Sequence, residues 1–377
     1  MQQTIVGESP GLYVHVPFCK TKCPYCDFYS ITSRENVGEW LSAVQKEALL
    51  YAKRFSEFDT LYLGGGTPSS LADSELALLI ESLRRRFSFS DDTEVTLECN
   101  PDDISGRQRL VNLQNLGINR ISLGVQSLND NELKYLGRRN TSEQNQRVLQ
   151  WVRSIPSLAL AVDLIYAFDG QSRQSWLRTL EYVLDFHPEH ISCYQLTLEE
   201  DTPFGKMQHQ GLIHPVSEDE QSDYFLMTSQ YLEERGYVHY EISNFAIGPE
   251  HFSRHNTKYW RHVPYLGLGP AAHSFQAGVR WWNLKSVEQY CNSLHNGKAP
   301  IAGREKLSPE QLKLESLYLG LRTRNGVNAG MLSDSPRVND TLAQLQRAGF
   351  VNTDNGRIIP TRKGFLLADS LPLMLLD

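Results

Sequence analysis

The sequence predicts an α/β protein: a partial parallel (βα)6, TIM-like barrel, followed by an α+β region that ends in a winged-helix-like module. Three observations carry that expectation. Strand-like and helix-like segments alternate from the N-terminus, polar residues with usable chemistry fall at the ends of successive strand-like runs, and the alternation stops near Gly205.

Taken in order, the first strand is expected over residues 11–16, followed by helical spacing over 37–54 and an apolar run at 60–63. Residues 71–87 again have helical spacing, with leucines at 76, 78, 79 and 83. Further strands are expected at 94–98, 120–125, 158–165 and 190–196, which makes six βα units. Cys19 follows the first strand, Gly64-Gly65-Gly66-Thr67-Pro68 the second and Gln126 the fourth, while Glu98 ends the third and Asp163 lies late in the fifth. Parallel barrels build their active sites at the C-terminal ends of strands, so five units point at one face.

Past residue 205 a helix is expected near 218–235, a strand near 237–243, and an aromatic, histidine-rich stretch covers 251–282. From 307 the pattern is helical and closes in two short strands around Asn355-Gly356, a pair that favours a tight hairpin turn. Three segments are therefore expected: a barrel over 1–204, a barrel extension over 205–306 and a winged-helix-like module over 307–377. That last segment holds eight Lys and Arg against seven Asp and Glu, which favours a docking or packing role over DNA binding.

Composition bounds the function. The chain has 377 residues, 40% hydrophobic and 21% charged, as ordinary globular proteins do. A net charge of −7 argues against a nucleic-acid-seeking surface. No apolar run approaches the roughly 18 residues of a membrane span, so no transmembrane segment is expected. Met1-Gln2-Gln3-Thr4-Ile5 shows no basic, then apolar, secretory pattern, so a cytoplasmic protein is expected, reaching a membrane only peripherally through a partner.

Six cysteines are too few for a disulfide scaffold, and three of them fall within eight residues at Cys19, Cys23 and Cys26. Cys99, Cys193 and Cys291 read as buried small hydrophobes. Thiolates at the density of the first three suit either an iron–sulfur cluster or a zinc ion. A zinc site would need a fourth ligand, for which His15 and Asp27 stand nearest in sequence. A [4Fe–4S] cluster on three cysteines would instead keep one iron open to a small molecule.

Cys-x3-Cys-x2-Cys after a first barrel strand resembles the radical S-adenosylmethionine (SAM) superfamily. The flanks, Tyr13-Val14-His15-Val16-Pro17-Phe18-Cys19 and Cys23-Pro24-Tyr25-Cys26-Asp27-Phe28, resemble its HemN/HemW group of oxygen-independent coproporphyrinogen III oxidases and haem chaperones. The resemblance implies a radical SAM barrel holding a [4Fe–4S] cluster on Cys19, Cys23 and Cys26. In that superfamily the reduced cluster passes an electron into the SAM sulfonium, cleaving it to a 5′-deoxyadenosyl radical.

The likeness spans nearly the whole chain. Gly65, Gly66 and Thr67 match the family's glycine-rich SAM motif, and Glu98 matches the carboxylate that meets the SAM amino group. Gln126 and Arg138 match residues that hold the ribose and carboxylate, Asp163 matches the ribose-hydroxyl acceptor, and Tyr13 and Tyr25 resemble residues lining the cluster and adenine. One departure is Ala167-Phe168-Asp169-Gly170-Gln171 where the family pattern reads Gly-Leu-Pro-Gly-Gln, and it is expected to alter the loop beside the ribose.

Two features separate the branches of the group. The oxidases carry a further cysteine two residues after the third, where this chain has Phe28, and a longer segment before the first strand, where this chain has ten residues. His255-Asn256-Thr257-Lys258-Tyr259-Trp260 resembles the HNxxYW motif of the haem chaperones, implying haem contacts from His255, Asn256, Tyr259 and Trp260, with His273 as a second candidate ligand. The implied partners are haem, haem-accepting proteins including respiratory ones, and an electron donor. The alternatives are a coproporphyrinogen III oxidase and a zinc-stabilised binding protein.

Overall fold

The computed structural model describes residues 8–55 and 57–376; the reading of Met1 to Ile5 lies outside them. The strands are β1 (Gly11–Val16), β2 (Glu57–Gly65), β3 (Ser88–Cys99), β4 (Arg120–Gln126), β5 (Ala159–Tyr166), β6 (His190–Gln195), β7 (Val238–Glu241), β8 (Asn244–Ala246), β9 (Tyr265–Leu268), β10 (His273–Gln276), β11 (Val279–Asn283) and β12 (Ile301–Lys306), with β13 (Val327–Asn328), β14 (Val351–Asp354) and β15 (Arg357–Pro360) apart. The first twelve form one sheet in the order β12-β11-β10-β9-β1-β2-β3-β4-β5-β6-β8-β7. β1 to β6 are parallel neighbours in sequence order, as the alternation predicts.

Residues 205–306 do more than extend one end. β8 and β7 add antiparallel to β6, while β9 adds parallel to β1 as a seventh parallel strand and carries β10 to β12 beyond it. The strand expected at 237–243 is two, broken at Ile242 and Ser243. β2 and β3 also begin earlier than expected, because Glu57 and Phe58 pair with Ser88 and Phe89 ahead of a bulge, and the polar 88–94 stretch masks that pairing in the sequence.

Strand alternation divides the barrel chemically. Leu12, Val14 and Val16 of β1, Leu61 and Leu63 of β2, Ile121 and Leu123 of β4 and Leu160, Val162 and Leu164 of β5 are buried in one apolar core that also takes in Trp40, Leu79, Leu113, Val148 and Trp176 of the helices. The other face is polar. Tyr13 pairs in register with Tyr62, Tyr62 with Thr96 and Thr96 with Arg120, so these four share that concave face.

β13, β15 and β14 make a small antiparallel sheet with its own core of Leu317, Leu321, Leu345, Ile358 and Leu371. Asn355 and Gly356 both have positive φ, 48° and 72°, which is the two-residue hairpin turn that their sequence favours. This module packs against the barrel: the backbone of Arg322–Arg324 bonds to Tyr240 and Ile242, and the Arg322 guanidinium pairs with buried Glu241 at 3.3 Å. Among the described residues no helix is long and apolar enough to cross a membrane.

Glu47 ties the first helix, Val37–Tyr51, to the β9 edge. It is fully buried and accepts bonds from the Gly269 amide (2.9 Å), Asn283 (2.6 Å) and the Tyr290 hydroxyl (2.5 Å). Burial pushes its pKa from 4.5 to about 7, against the pull of those three donors. A carboxyl with a raised folded pKa holds its proton more tightly when folded, so its contribution to stability is complete below pH 4.5 and is lost as pH rises through 7. Unfolding measured from pH 4.5 to 7.5 should show a loss of about 3 kcal/mol from this group. Glu47→Gln, which does not titrate, should remove its share of that slope while Glu98, with a similarly raised pKa, keeps its own; an unchanged slope would refute the assignment.

Candidate functional site

A cleft of about 820 Å3 opens at the C-terminal ends of β1 to β6 and runs down the concave face. Its walls hold Cys19, Cys23, Cys26, Glu98, Arg138 and Asp163, so five strand ends meet there as the sequence predicts. Tyr25, Gly65, Gly66, Thr67, Gln126 and Asn256 also line it. Tyr13, His255, Tyr259 and Trp260 do not.

Backbone bonds fix the cysteine loop. Ile31 donates to the Pro17 carbonyl at 2.7 Å and Cys19 donates to the Ile31 carbonyl at 2.9 Å, closing the loop at its base. From the other side Gly66 donates to the Val16 carbonyl and Thr67 to the Phe18 carbonyl, both at 2.8 Å. A side chain on Gly66 would meet the Val16 oxygen at 2.7 Å, and one on Gly65, whose φ is +107°, would meet the His15 ring at 2.4 Å. These glycines therefore let β2 press against the end of β1.

All six cysteines are free, and Cys99, Cys193 and Cys291 are buried as expected. Cys19 is buried and accepts a bond from the Thr67 hydroxyl at 3.3 Å; Cys23 accepts one from Arg138 at 3.5 Å. Burial raises the Cys19 and Cys26 thiol pKa values. Among the described residues no three His, Cys, Asp or Glu side chains already converge on a point that would hold a single metal ion. His15 is no candidate for the fourth zinc ligand: its Nε2 bonds the Tyr29 carbonyl (2.8 Å) and its Nδ1 the Tyr13 hydroxyl (3.1 Å). Three free sulfurs on a pinned loop, with hydroxyl and guanidinium donors against two of them, fit a three-thiolate cluster whose remaining side faces the cleft.

Glu98 sits in the cleft wall, accepting from the Tyr62 hydroxyl (2.8 Å) and the Gly65 amide (3.0 Å). Burial, reinforced by Asp163, raises its pKa to about 7 in spite of those donors. Asp163 accepts from Ser122 at 2.8 Å, and its pKa is also raised by burial. Gln126 stands at a bulge between β4 and β5 with φ of 65°, which turns its side chain out of the ladder. Arg138 is held by Asn100 (2.6 Å) and the Gly124 carbonyl (3.0 Å). Asn100 and Tyr62 were not singled out in the sequence; their signal was adjacency to Glu98 and to the glycine run.

The histidine motif lies elsewhere. The short helix Arg254–Trp260 plugs the N-terminal end of the barrel, where buried Lys258 pairs with Asp59 at 2.8 Å. His255 is 1% exposed, its Nδ1 against the Thr60 hydroxyl (2.8 Å) and its Nε2 against the Tyr259 hydroxyl (2.7 Å), and its ring stacks on Tyr62. Burial, with Lys258 beside it, lowers its pKa to about 3. With both nitrogens engaged, His255 is a floor residue in this conformation. Trp260 packs edge-on against Tyr240, and His273 lies exposed on β10, stacked on Trp282, away from the cleft.

The Ala167 departure does not undo its loop. Ala167 adopts φ of 58°, and its amide bonds the Gln171 side chain at 2.9 Å, while Phe168 is buried and stacks on Tyr135. A left-handed alanine costs about 1 kcal/mol relative to a strain-free residue. Ala167 is also a core residue, and glycine frees the unfolded chain by about 0.4–1 kcal/mol, so Ala167→Gly should change unfolding stability by less than about 0.6 kcal/mol in denaturant titration; a loss above about 1 kcal/mol would show that packing of the methyl group outweighs the strain.

Comparison with known proteins gives the class first. The chain matches the Radical SAM superfamily over residues 13–183 and the HemN C-terminal domain over residues 307–367. It is 34% identical to the heme chaperone HemW of Synechocystis sp. over 93% of this chain and 89% of that protein. It is 30% identical to the heme chaperone HemW of Bacillus subtilis (95% and 97% covered) and 33% identical to the mitochondrial radical S-adenosyl methionine domain-containing protein 1 of Danio rerio (97% and 87% covered). The solved structure of coproporphyrinogen III oxidase (HemN) from Escherichia coli superposes with a TM-score of 0.82 at 24% identity, over 98% of this chain and 90% of that one, and shows the shared fold. Within the radical SAM superfamily, the chain belongs to the HemN/HemW group, in the family of the HemW proteins.

Proposed function

We propose that this chain is a radical SAM haem chaperone: it holds a [4Fe–4S] cluster on Cys19, Cys23 and Cys26, binds SAM beside it, and carries haem to acceptor proteins. The observation that carries the reading is the meeting of the pinned cysteine loop, Glu98, Gln126, Arg138 and Asp163 in one cleft. When bound and reduced, such a cluster supplies one electron to the SAM sulfonium.

The residues present have matching work to do. Glu98 offers a carboxylate to the SAM ammonium, and that ammonium supplies the counter-charge whose lack keeps its pKa near 7. Arg138 offers a guanidinium to the SAM carboxylate, with Gln126 beside it, and Asp163 an acceptor to the ribose hydroxyls. Gly65, Gly66 and Thr67 shape the wall there, and Tyr25 flanks the cluster. Tyr13 acts from behind, holding His15 and packing on Tyr62.

The haem assignment is supported by the printed names of the relatives and by Phe28, which stands 70% exposed at the cleft rim where the oxidases carry a cysteine. His255, Asn256, Tyr259 and Trp260 are the haem candidates. Only Asn256 already reaches the cleft, so iron ligation by His255 requires release of its bonds to Thr60 and Tyr259. Reduction of the cluster calls for an external electron donor, and delivery calls for haem acceptors, sought first among respiratory proteins.

Anaerobic reconstitution should give about four irons and four sulfides per chain, and Cys→Ala at 19, 23 or 26 should abolish them; about one zinc and no sulfide would overturn the reading. SAM binding should tighten as pH rises through 7 and lose that dependence in Glu98→Gln. Haem titration should weaken at least tenfold in His255→Ala, and unchanged binding would remove His255 from the ligand set. Anaerobic conversion of coproporphyrinogen III to protoporphyrinogen would overturn the chaperone assignment.

A further inference from the structure

The cleft reaches much deeper than the residues assigned to SAM. Arg120 and His190 open β4 and β6, at the end of the barrel opposite the cysteine loop, yet both line the cleft. Thr96, the register partner of Arg120 on β3, lines it as well, and on β5 only Ala159 and Ala161 intervene between Arg120 and His190. Small residues there leave room between three polar groups.

Each of those groups lacks something. Arg120 is 5% exposed, and among the described residues it makes no ion pair; its one hydrogen bond is a long one, 3.4 Å, to the His251 carbonyl. Asp163 lies four residues further along β5 than Ala159, the register partner of Arg120; the Arg120 charge reaches it and works against the burial that raises its pKa, but among the described residues no ion pair joins the two. A buried cation whose counter-charge acts only from a distance is costly, and such a cost persists where a ligand brings a charge into contact. Among the described residues the buried Thr96 hydroxyl has no partner, and neither has His190 Nδ1.

The surroundings of His190 assign its proton. Its Nε2 lies 2.7 Å from the Tyr240 hydroxyl, which already accepts from the Ser253 amide at 3.2 Å. The phenol's one proton has no other acceptor among the described residues, so it donates to Nε2, and the neutral imidazole carries its proton on Nδ1. Guanidinium, N–H and hydroxyl can all donate; a cluster of donors around a cation without a contacting partner recognises an anion, and the planar guanidinium fork matches the two oxygens of a carboxylate.

We propose that the deep end of the cleft is a carboxylate-binding subsite, in which Arg120, Thr96 and His190 receive the carboxylate of an organic acid other than SAM. This rests on the reading above in taking the upper cleft as the SAM site, with Arg138 as the partner of the SAM carboxylate. The body of the acid would lie up the cleft toward Ile165, Tyr194 and Leu196.

The test uses the full chain, cluster-reconstituted and saturated with SAM, titrated calorimetrically with sodium propionate and with propionamide, its neutral counterpart. Wild type should prefer propionate at least tenfold. Arg120→Met should lose that preference, and Thr96→Val, which breaks no internal hydrogen bond, should lose about threefold. Equal binding of acid and amide by wild type, full preference retained in both variants, or propionate excluded by SAM would each overturn the proposal. A second arm compares haem with its dimethyl ester: weaker ester binding in wild type, equal in Arg120→Met, identifies a haem propionate as the occupant. Failure of haem to bind at all would strike the chaperone reading, while the propionate preference would still support the subsite.

Discussion

The site depends on one piece of backbone, the turn out of β1. Its carbonyls at Val16, Pro17 and Phe18 accept from Gly66, Ile31 and Thr67, so the returning end of the cysteine loop and the glycine run of β2 are tied to the same three residues. Gly65 then donates to Glu98, which carries the tie to β3. A half-buried carboxylate, a glycine run and three cysteines thus share one hydrogen-bonded frame, and displacement of any one is felt by the others.

Much of this was legible in the sequence. The six parallel strands followed from the alternation of patterns, and the cleft from the fact that Cys19 and Gln126 follow strands, Glu98 ends one and Asp163 lies late in another. The hairpin at Asn355-Gly356 followed from turn chemistry alone. What stayed hidden was long-range. Nothing local in Tyr265–Leu268 says that it will pair with β1, and the division of 205–306 between both edges of the sheet is decided by which edges lie free.

The histidine motif shows the limit more sharply. His255-Asn256-Thr257-Lys258-Tyr259-Trp260 is a polar and aromatic run that reads as a ligand surface, yet Lys258 finds Asp59 and His255 finds Thr60, almost 200 residues earlier. Those partners turn the run into the stopper of the barrel. Residue type told what the groups can do, while tertiary pairing decided what they face. Arg120 is the converse case: a basic residue at the head of an apolar strand looks like a surface anchor, and only the alternation of β4 turns it inward.

The pairing of β1 with β9 has a consequence for how the chain is made. Gly11 meets Tyr265, so about 250 residues must be synthesised before the first strand gains its second neighbour. Until then the growing chain carries β1 as a bare edge, with the thiol loop hanging from it, and bare edges invite pairing with other chains. Closure of that edge by β9 to β12, together with the seating of Gly269 on Glu47, marks the point in biogenesis at which the cysteines pass from a half-built sheet to a finished chamber. Loading of metal and sulfide before or after that point would meet two different proteins.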